Sequence, residues 1–181
     1  MQISTLSFAR PLRYSIILAL VAMSLALPFA AFADGDAALA GATITIPALN
    51  VSTSVVNIPL DPAIGTWNTN SLGGNIGHFE YTPWLGESGN IVLGGHSTDD
   101  AGAPSIFYHL EDITVGDAVT ISNGSVVQEY VVTGTRFVAI SDVSVLYPTG
   151  RDIVTLITCA GYNGETGVYD QRLVVTARRV N

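Results

Sequence analysis

The chain contains one thiol, Cys159, together with three histidines, seven arginines and no lysine. Cys159 closes the apolar run IVTLIT and is followed by Ala160, Gly161 and a polar stretch. At the exit of a strand a side chain can reach a groove. Free cysteine is also among the most buried residue types, so position alone leaves a reactive and a structural thiol equally open. His96 ends NIVLGG and precedes Ser97-Thr98-Asp99-Asp100, and its two preceding glycines allow close approach of another backbone. Taken by itself, it reads as a hydrogen-bonded loop histidine. Arg172 opens the last β-rich run, thirteen residues after Cys159. If those two runs are neighbouring strands, its guanidinium lies near the thiol; the alternative is a salt bridge to a local acid such as Asp170. Together the three types match acyl transfer. A thiolate held beside cations attacks a carbonyl. A histidine carries the proton, and an arginine, which keeps its charge, holds the oxyanion.

The surrounding sequence supplies strands. Thr43–Pro47 and Thr53–Pro59 are β-branched runs ended by proline. Asn90–Leu93 is a short apolar strand leading to the glycines before His96. Residues 118–133 form a hairpin, with Asn123-Gly124 as a type I′ turn. Further strands fall at Thr135–Ile140, Asp152–Cys159 and Arg172–Val180, while residues 61–89, rich in Gly, Asn and Pro, read mostly as loop. Helical signal is confined to a turn or two at Pro104–Leu110 and at Asp142–Leu146, where Asp142 suits an N-cap. About seven or eight short strands with little helix predict an all-β fold, a barrel or sandwich.

Arg10 and Arg13 precede an apolar run from Tyr14 to Ala33 that closes on Ala31-Phe32-Ala33. This is the pattern of a cleaved signal peptide, although about 20 apolar residues would also serve as an uncleaved signal anchor. Either way the remainder is exported, on the extracellular face of the membrane or secreted, with membrane contact only through residues 1–33 if they are uncleaved. Residues 34–42 form a short tether, and 43–181 form the domain. All fifteen acids follow residue 33, against five arginines. Such a balance excludes nucleic acid as a partner. A hydrophobic content of 48% excludes disorder, and one cysteine excludes a disulfide framework or multi-cysteine metal site.

The order GGH, then TLITC, then RLVVTAR resembles the sortases, cysteine transpeptidases of bacterial cell surfaces. The likeness extends over roughly residues 43–180 and includes ITIPALNV, IGHFEYTPWLGESGNIVLGGHS and IFYHLEDITVGDAVTI. It is nearest the compact class D, E and F type. The resemblance implies a closed sortase-like β-barrel with one or two short helices. It implies catalytic His96, Cys159 and Arg172, with Thr158 lining the substrate site, and neither cofactor nor metal. It implies cleavage of an LPxTG-type sorting signal between Thr and Gly through a thioacyl-enzyme. The acyl group then passes to an amine acceptor such as a cell-wall peptide. The stretch 160–171 is longer and more polar than the class E pattern, which bears on substrate choice.

Two other readings stay open: a cysteine peptidase that hydrolyses the same intermediate, and a secreted β-barrel binding module with a buried core cysteine. His109 reads as a surface residue. Asp99, Asp100, Glu111 and Asp112 read as solvated loop acids, since no EF-hand spacing is present. His78 and His96 lack an HExxH neighbour, so no zinc site is expected.

Overall fold

The computed structural model describes residues 39–180; the apolar segment 1–33 and residues 34–38 of the tether lie outside the described residues. Ten strands follow in order: β1 (Thr43–Ile46), β2 (Val51–Ile58), β3 (Leu60–Asp61), β4 (Thr66–Trp67), β5 (Ile76–Phe79), β6 (Asn90–Gly94), β7 (Ala118–Ser122), β8 (Val127–Ala139), β9 (Ile153–Asn163) and β10 (Val168–Arg179). Eight of them close a barrel in the order β1-β2-β5-β6-β9-β10-β8-β7, and β3 with β4 makes a separate two-stranded ribbon. Closure leaves the barrel no unpaired strand edge. The pairs β2–β5 and β6–β9 are parallel and the others antiparallel.

Alternation along each strand fills the barrel. Ile44, Ile46, Ile91, Leu93, Val119, Ile121, Val132, Val154, Leu156, Leu173 and Val175 all belong to one buried cluster, which Leu39 and Ala42 join from the N-terminal side. Burying each such side chain is worth about 1.5–3 kcal/mol. A second cluster lies on the outer face, made by Val92, Ile157 and Val174 with Val145, and flanked by Phe79, Val138 and Leu146. Strands β6 and β9 are thus covered on both faces. This is why IVL and IVTLI read as continuous apolar runs instead of alternating ones.

Several expectations need correction. The reading of 61–89 as loop missed β5, whose IGHF is disguised by its glycine and histidine. A side chain at Gly77 would collide with Leu72 and Ile58. Residues 127–139 are one strand, not two. Its ladder with β10 shifts between Thr176 and Ala177, which pair with Gly134 and Val132, and the extra residue Thr133 makes a bulge. In the β7–β8 turn only Gly124 takes a positive φ (84°), and Asn123 does not. The reversal therefore centres on Gly124 and Ser125, the pattern of a type II′ turn. Asn123 closes it through its side-chain oxygen, which accepts from Ser125 N and Val126 N at 3.2 and 2.9 Å. The helical turns are short 3₁₀ segments at Pro47–Leu49, Leu110–Asp112 and Val143–Leu146. Asp142 does cap the last of these, accepting from the Ser144 hydroxyl and from Ser144 N at 3.0 Å, and those hydrogen bonds hold its carboxyl below the usual range.

Candidate active site

Strand β9 does not end at Cys159. It runs on to Asn163, and β10 begins at Val168, not Arg172. Most of the expected 160–171 loop is therefore a projecting hairpin, reversed over residues 164–167. Its two ends are polar because no barrel core lies beneath them. This extension leaves the key neighbourhood intact: Arg172 is the registered antiparallel partner of Cys159. Side chains of such directly opposed residues stand on one face, with Cβ atoms about 4.5–5.5 Å apart.

Which face follows from parity. Leu156 and Leu173 belong to the barrel core, whereas Ile157 and Val174 belong to the outer cluster. Cys159 and Arg172 continue the outer row, and both are half-buried. Among the described residues Arg172 has no carboxylate partner, so the expected alternative of a salt bridge with Asp170 is not formed. Its Nη1 donates to Gln171 O at 3.3 Å.

The third residue arrives from β6. Gly94 is in register with Ile157, and Gly95 N donates to Ile157 O at 3.2 Å. Thr158, buried, donates its hydroxyl to Gly95 O at 2.8 Å. The strand end that carries His96 is thus bonded from both sides to the residues preceding Cys159. Neither glycine tolerates a side chain: a Cβ at Gly95 would come within 2.7 Å of Phe107, and one at Gly94 within 2.8 Å of Phe79. The His96 Nε2 lies 3.1 Å from Thr69 O. A carbonyl only accepts, so Nε2 carries the hydrogen and Nδ1 is left open. Thr69 acts through its backbone, so no sequence signal marks it.

Two surfaces meet at the thiol. On the outer face the buried side chains of Val92, Ile157 and Val174 form an apolar floor that leads up to Cys159, bordered and covered by Val145 and the partly buried Phe79, Val138 and Leu146. Asn90 fastens that border: its Nδ2 donates to Val145 O and Tyr147 O at 3.0 and 3.2 Å, and its Oδ1 accepts from Thr155 at 2.7 Å. On the other side, Cys159 and Thr158 line a cleft of about 670 Å³ with Ser97, Tyr108, Glu111 and Tyr169. His96 and Arg172 are not among its walls. Ser97 Oγ is buried there without a hydrogen-bond partner among the described residues. The Thr98 hydroxyl bonds the Tyr169 hydroxyl at 3.1 Å, and Tyr162 and Tyr169 pack with ring centroids 5.1 Å apart.

The other singled-out groups lie elsewhere. His109 is exposed and pairs with Asp112 at 3.0 Å. His78 is buried on β5, its ring centroid 4.7 Å from that of Trp84. Asp99 closes its own loop, accepting from Ala101 N and Ala103 N at 2.9 and 2.8 Å.

Comparison with known proteins bears on this arrangement. The sortase domain matches residues 44–180. Sortase A of Staphylococcus aureus is 36% identical over 94 residues, which is 50% of this chain and 45% of that protein. The chain thus matches less than half the length of that relative. Among solved structures, a Clostridium perfringens sortase D5 transpeptidase superposes with a TM-score of 0.62 at 26% identity, covering 78% of this chain and 79% of that one. Sortase C-1 of Actinomyces oris does so with a TM-score of 0.63 at 32% identity, covering 77% and 73%. The chain belongs to the sortase family, a family of cysteine transpeptidases.

Proposed function

We propose that the protein is an exported sortase that cleaves an LPxTG-type sorting signal and transfers the acyl half to an amine. The observation that carries this reading is the register of Cys159 with Arg172 beside the strand end that holds His96. Cys159 Sγ, as thiolate, attacks the carbonyl carbon of the Thr–Gly bond. The carbonyl oxygen becomes an oxyanion, which the Arg172 guanidinium faces as a fixed cation. His96, having taken the thiol proton to become imidazolium, gives it to the departing glycine amine, and a thioester remains on Cys159. An incoming amine attacks the thioester, His96 takes its proton, and the thiolate leaves.

The partly buried Phe79, Val138 and Leu146 on the outer face suit the Leu-Pro part of such a peptide, with Thr at the thiol. The inner cleft, with Ser97, the tyrosines and the carboxylate of Glu111, suits the amine acceptor, for example a cell-wall peptide. Thr158 lines the cleft and holds Gly95, next to His96, through its hydroxyl. The short 3₁₀ segments and the lack of a long helical insertion among the described residues favour the compact class D, E and F type. Residues 1–33 serve as signal peptide or anchor.

The test is incubation of the protein with an LPxTG peptide, with and without triglycine, read by product mass. The reading predicts a ligated product when triglycine is present. A product of hydrolysis alone, unchanged by triglycine, would instead make the protein a peptidase. No reaction with any sorting peptide would leave a binding module.

A further inference from the structure

Far from the thiol, the barrel gathers its positive charge. The chain is acidic overall, at -8, and its described cations are Arg136, Arg151, Arg172, Arg178 and Arg179. Three of these five, Arg151, Arg178 and Arg179, line a single cleft of about 750 Å³ with Gly89, Thr149, Gly150 and Asp152. Arg178 pairs with Ile153 and Arg172 with Cys159, six residues along the same ladder. At about 3.3 Å per residue that is roughly 20 Å, so the cleft is separate from the catalytic region.

The cleft's one acid is already engaged. Asp152 Oδ1 accepts from Gly89 N at 3.1 Å, and its Oδ2 lies 3.6 Å from Arg179 Nη1. Arg179 is thereby drawn towards Asp152 in a part-exposed pair. Arg151 and Arg178 are exposed and have no carboxylate partner among the described residues. The connection that carries Arg151 is itself ordered, since Thr149 Oγ1 donates to Arg151 O at 2.7 Å. Two open guanidiniums beside one paired guanidinium make a local excess of positive charge. An acidic protein has no need of that excess for solubility. Guanidinium forks match tetrahedral oxyanions, which accept several charge-assisted hydrogen bonds at once.

We infer that the cleft bounded by Arg151, Arg178 and Arg179 is a binding site for a phosphate group, carried by a lipid headgroup or free in solution. The inference does not depend on the proposed transpeptidation.

The test compares the full chain with its R151Q/R178Q variant. Both substitutions are on exposed side chains, and an unfolding transition in chloride as cooperative as that of the wild type serves as the check that the variant is folded. Thermal unfolding is followed in inorganic phosphate and in chloride at matched ionic strength. Phosphate is expected to raise the midpoint of the wild-type chain, and the variant is expected to bind it roughly tenfold more weakly. A second variant, R151K/R178K, keeps the charge but loses the forks and is expected to fall between the two. In parallel, both chains are floated with vesicles of phosphatidylcholine alone or with phosphatidylglycerol added. Preferential loss of the variant from the phosphatidylglycerol vesicles assigns the phosphate to a headgroup; equal flotation with a retained phosphate effect assigns it to a soluble ligand. Equal midpoint shifts in phosphate and chloride, or an equal response of wild type and R151Q/R178Q to phosphate, would overturn the inference.

Discussion

Replacing Asn90 by alanine tests how the apolar floor beside the thiol is held. Asn90 is buried, and its amide is the clamp between β6, β9 and the 3₁₀ segment Val143–Leu146. Asn90→Ala strands three groups: Val145 O, Tyr147 O and the Thr155 hydroxyl. A buried polar group left without its partner costs about 1–3 kcal/mol. The bond to Tyr147 O is only part-buried, so water can replace it there. Two fully stranded groups and the small void give a destabilisation of about 3–5 kcal/mol. Against a domain stability of about 5–15 kcal/mol this is large but survivable. Equilibrium unfolding in urea reads it directly. The same change frees the segment that carries Leu146, so on the proposed placement of the peptide its binding should weaken with the chemical step intact. We expect KM for the sorting peptide to rise about tenfold with kcat changed little, the signature of lost ground-state binding. A destabilisation under about 1 kcal/mol together with an unchanged KM would refute the argument that Asn90 holds this segment in place.

Other perturbations have equally definite outcomes. Thr158→Val removes the bond to Gly95 O and should cost about 1–3 kcal/mol and lower kcat by loosening the strand end of His96; Thr158→Ser should restore both in unfolding and kinetic assays. Arg172→Lys keeps the charge but loses the planar fork, and should lower kcat by about 10²-fold with peptide KM nearly unchanged in steady-state kinetics. Burial of His78 lowers its pKa below 6.5, despite opposing contributions from Pro83, Thr82, Glu87 and Glu80. The unfolded chain therefore binds a proton at His78 before the folded one does. Its contribution to stability is fully present above pH ~6.5 and shrinks as pH falls from there towards the lowered folded value. Urea midpoints between pH 7.5 and 5 should show this fall, and His78→Gln should remove that component of it.

The parts of the fold legible in sequence were those whose side chains face one clear environment. The runs TITI, NIVL and IVTLI are core strands and were read as such. β5 was not, because the crowding of Leu72 and Ile58 requires Gly77, and a glycine in a Gly/Asn-rich stretch imitates loop. The β9–β10 extension was missed for the opposite reason. Beyond Cys159 its strands leave the barrel, so Tyr162, Glu165 and Asp170 are exposed and no apolar alternation marks them. Gly161 belongs to the same region: it has φ 68°, and any Cβ there would strike the Asp170 carboxylate. Cys159 and His96 could be singled out because rare residue types follow apolar runs, and Arg172 because it opens one. Their shared neighbourhood could not, since it rests on register. The Thr69 carbonyl that orients His96 has no side-chain signature, and the partners of Asn90 are 55 and 65 residues away in the chain.

The most direct measurement is the intact mass of the protein trapped during turnover with an LPxTG peptide and no added amine. The account predicts an adduct of the acyl fragment on the wild-type chain, mapped to Cys159 by peptide digestion, released by hydroxylamine or triglycine, and absent from Cys159→Ala. Full peptide cleavage by Cys159→Ala, or an adduct mapped to any other residue, would contradict it.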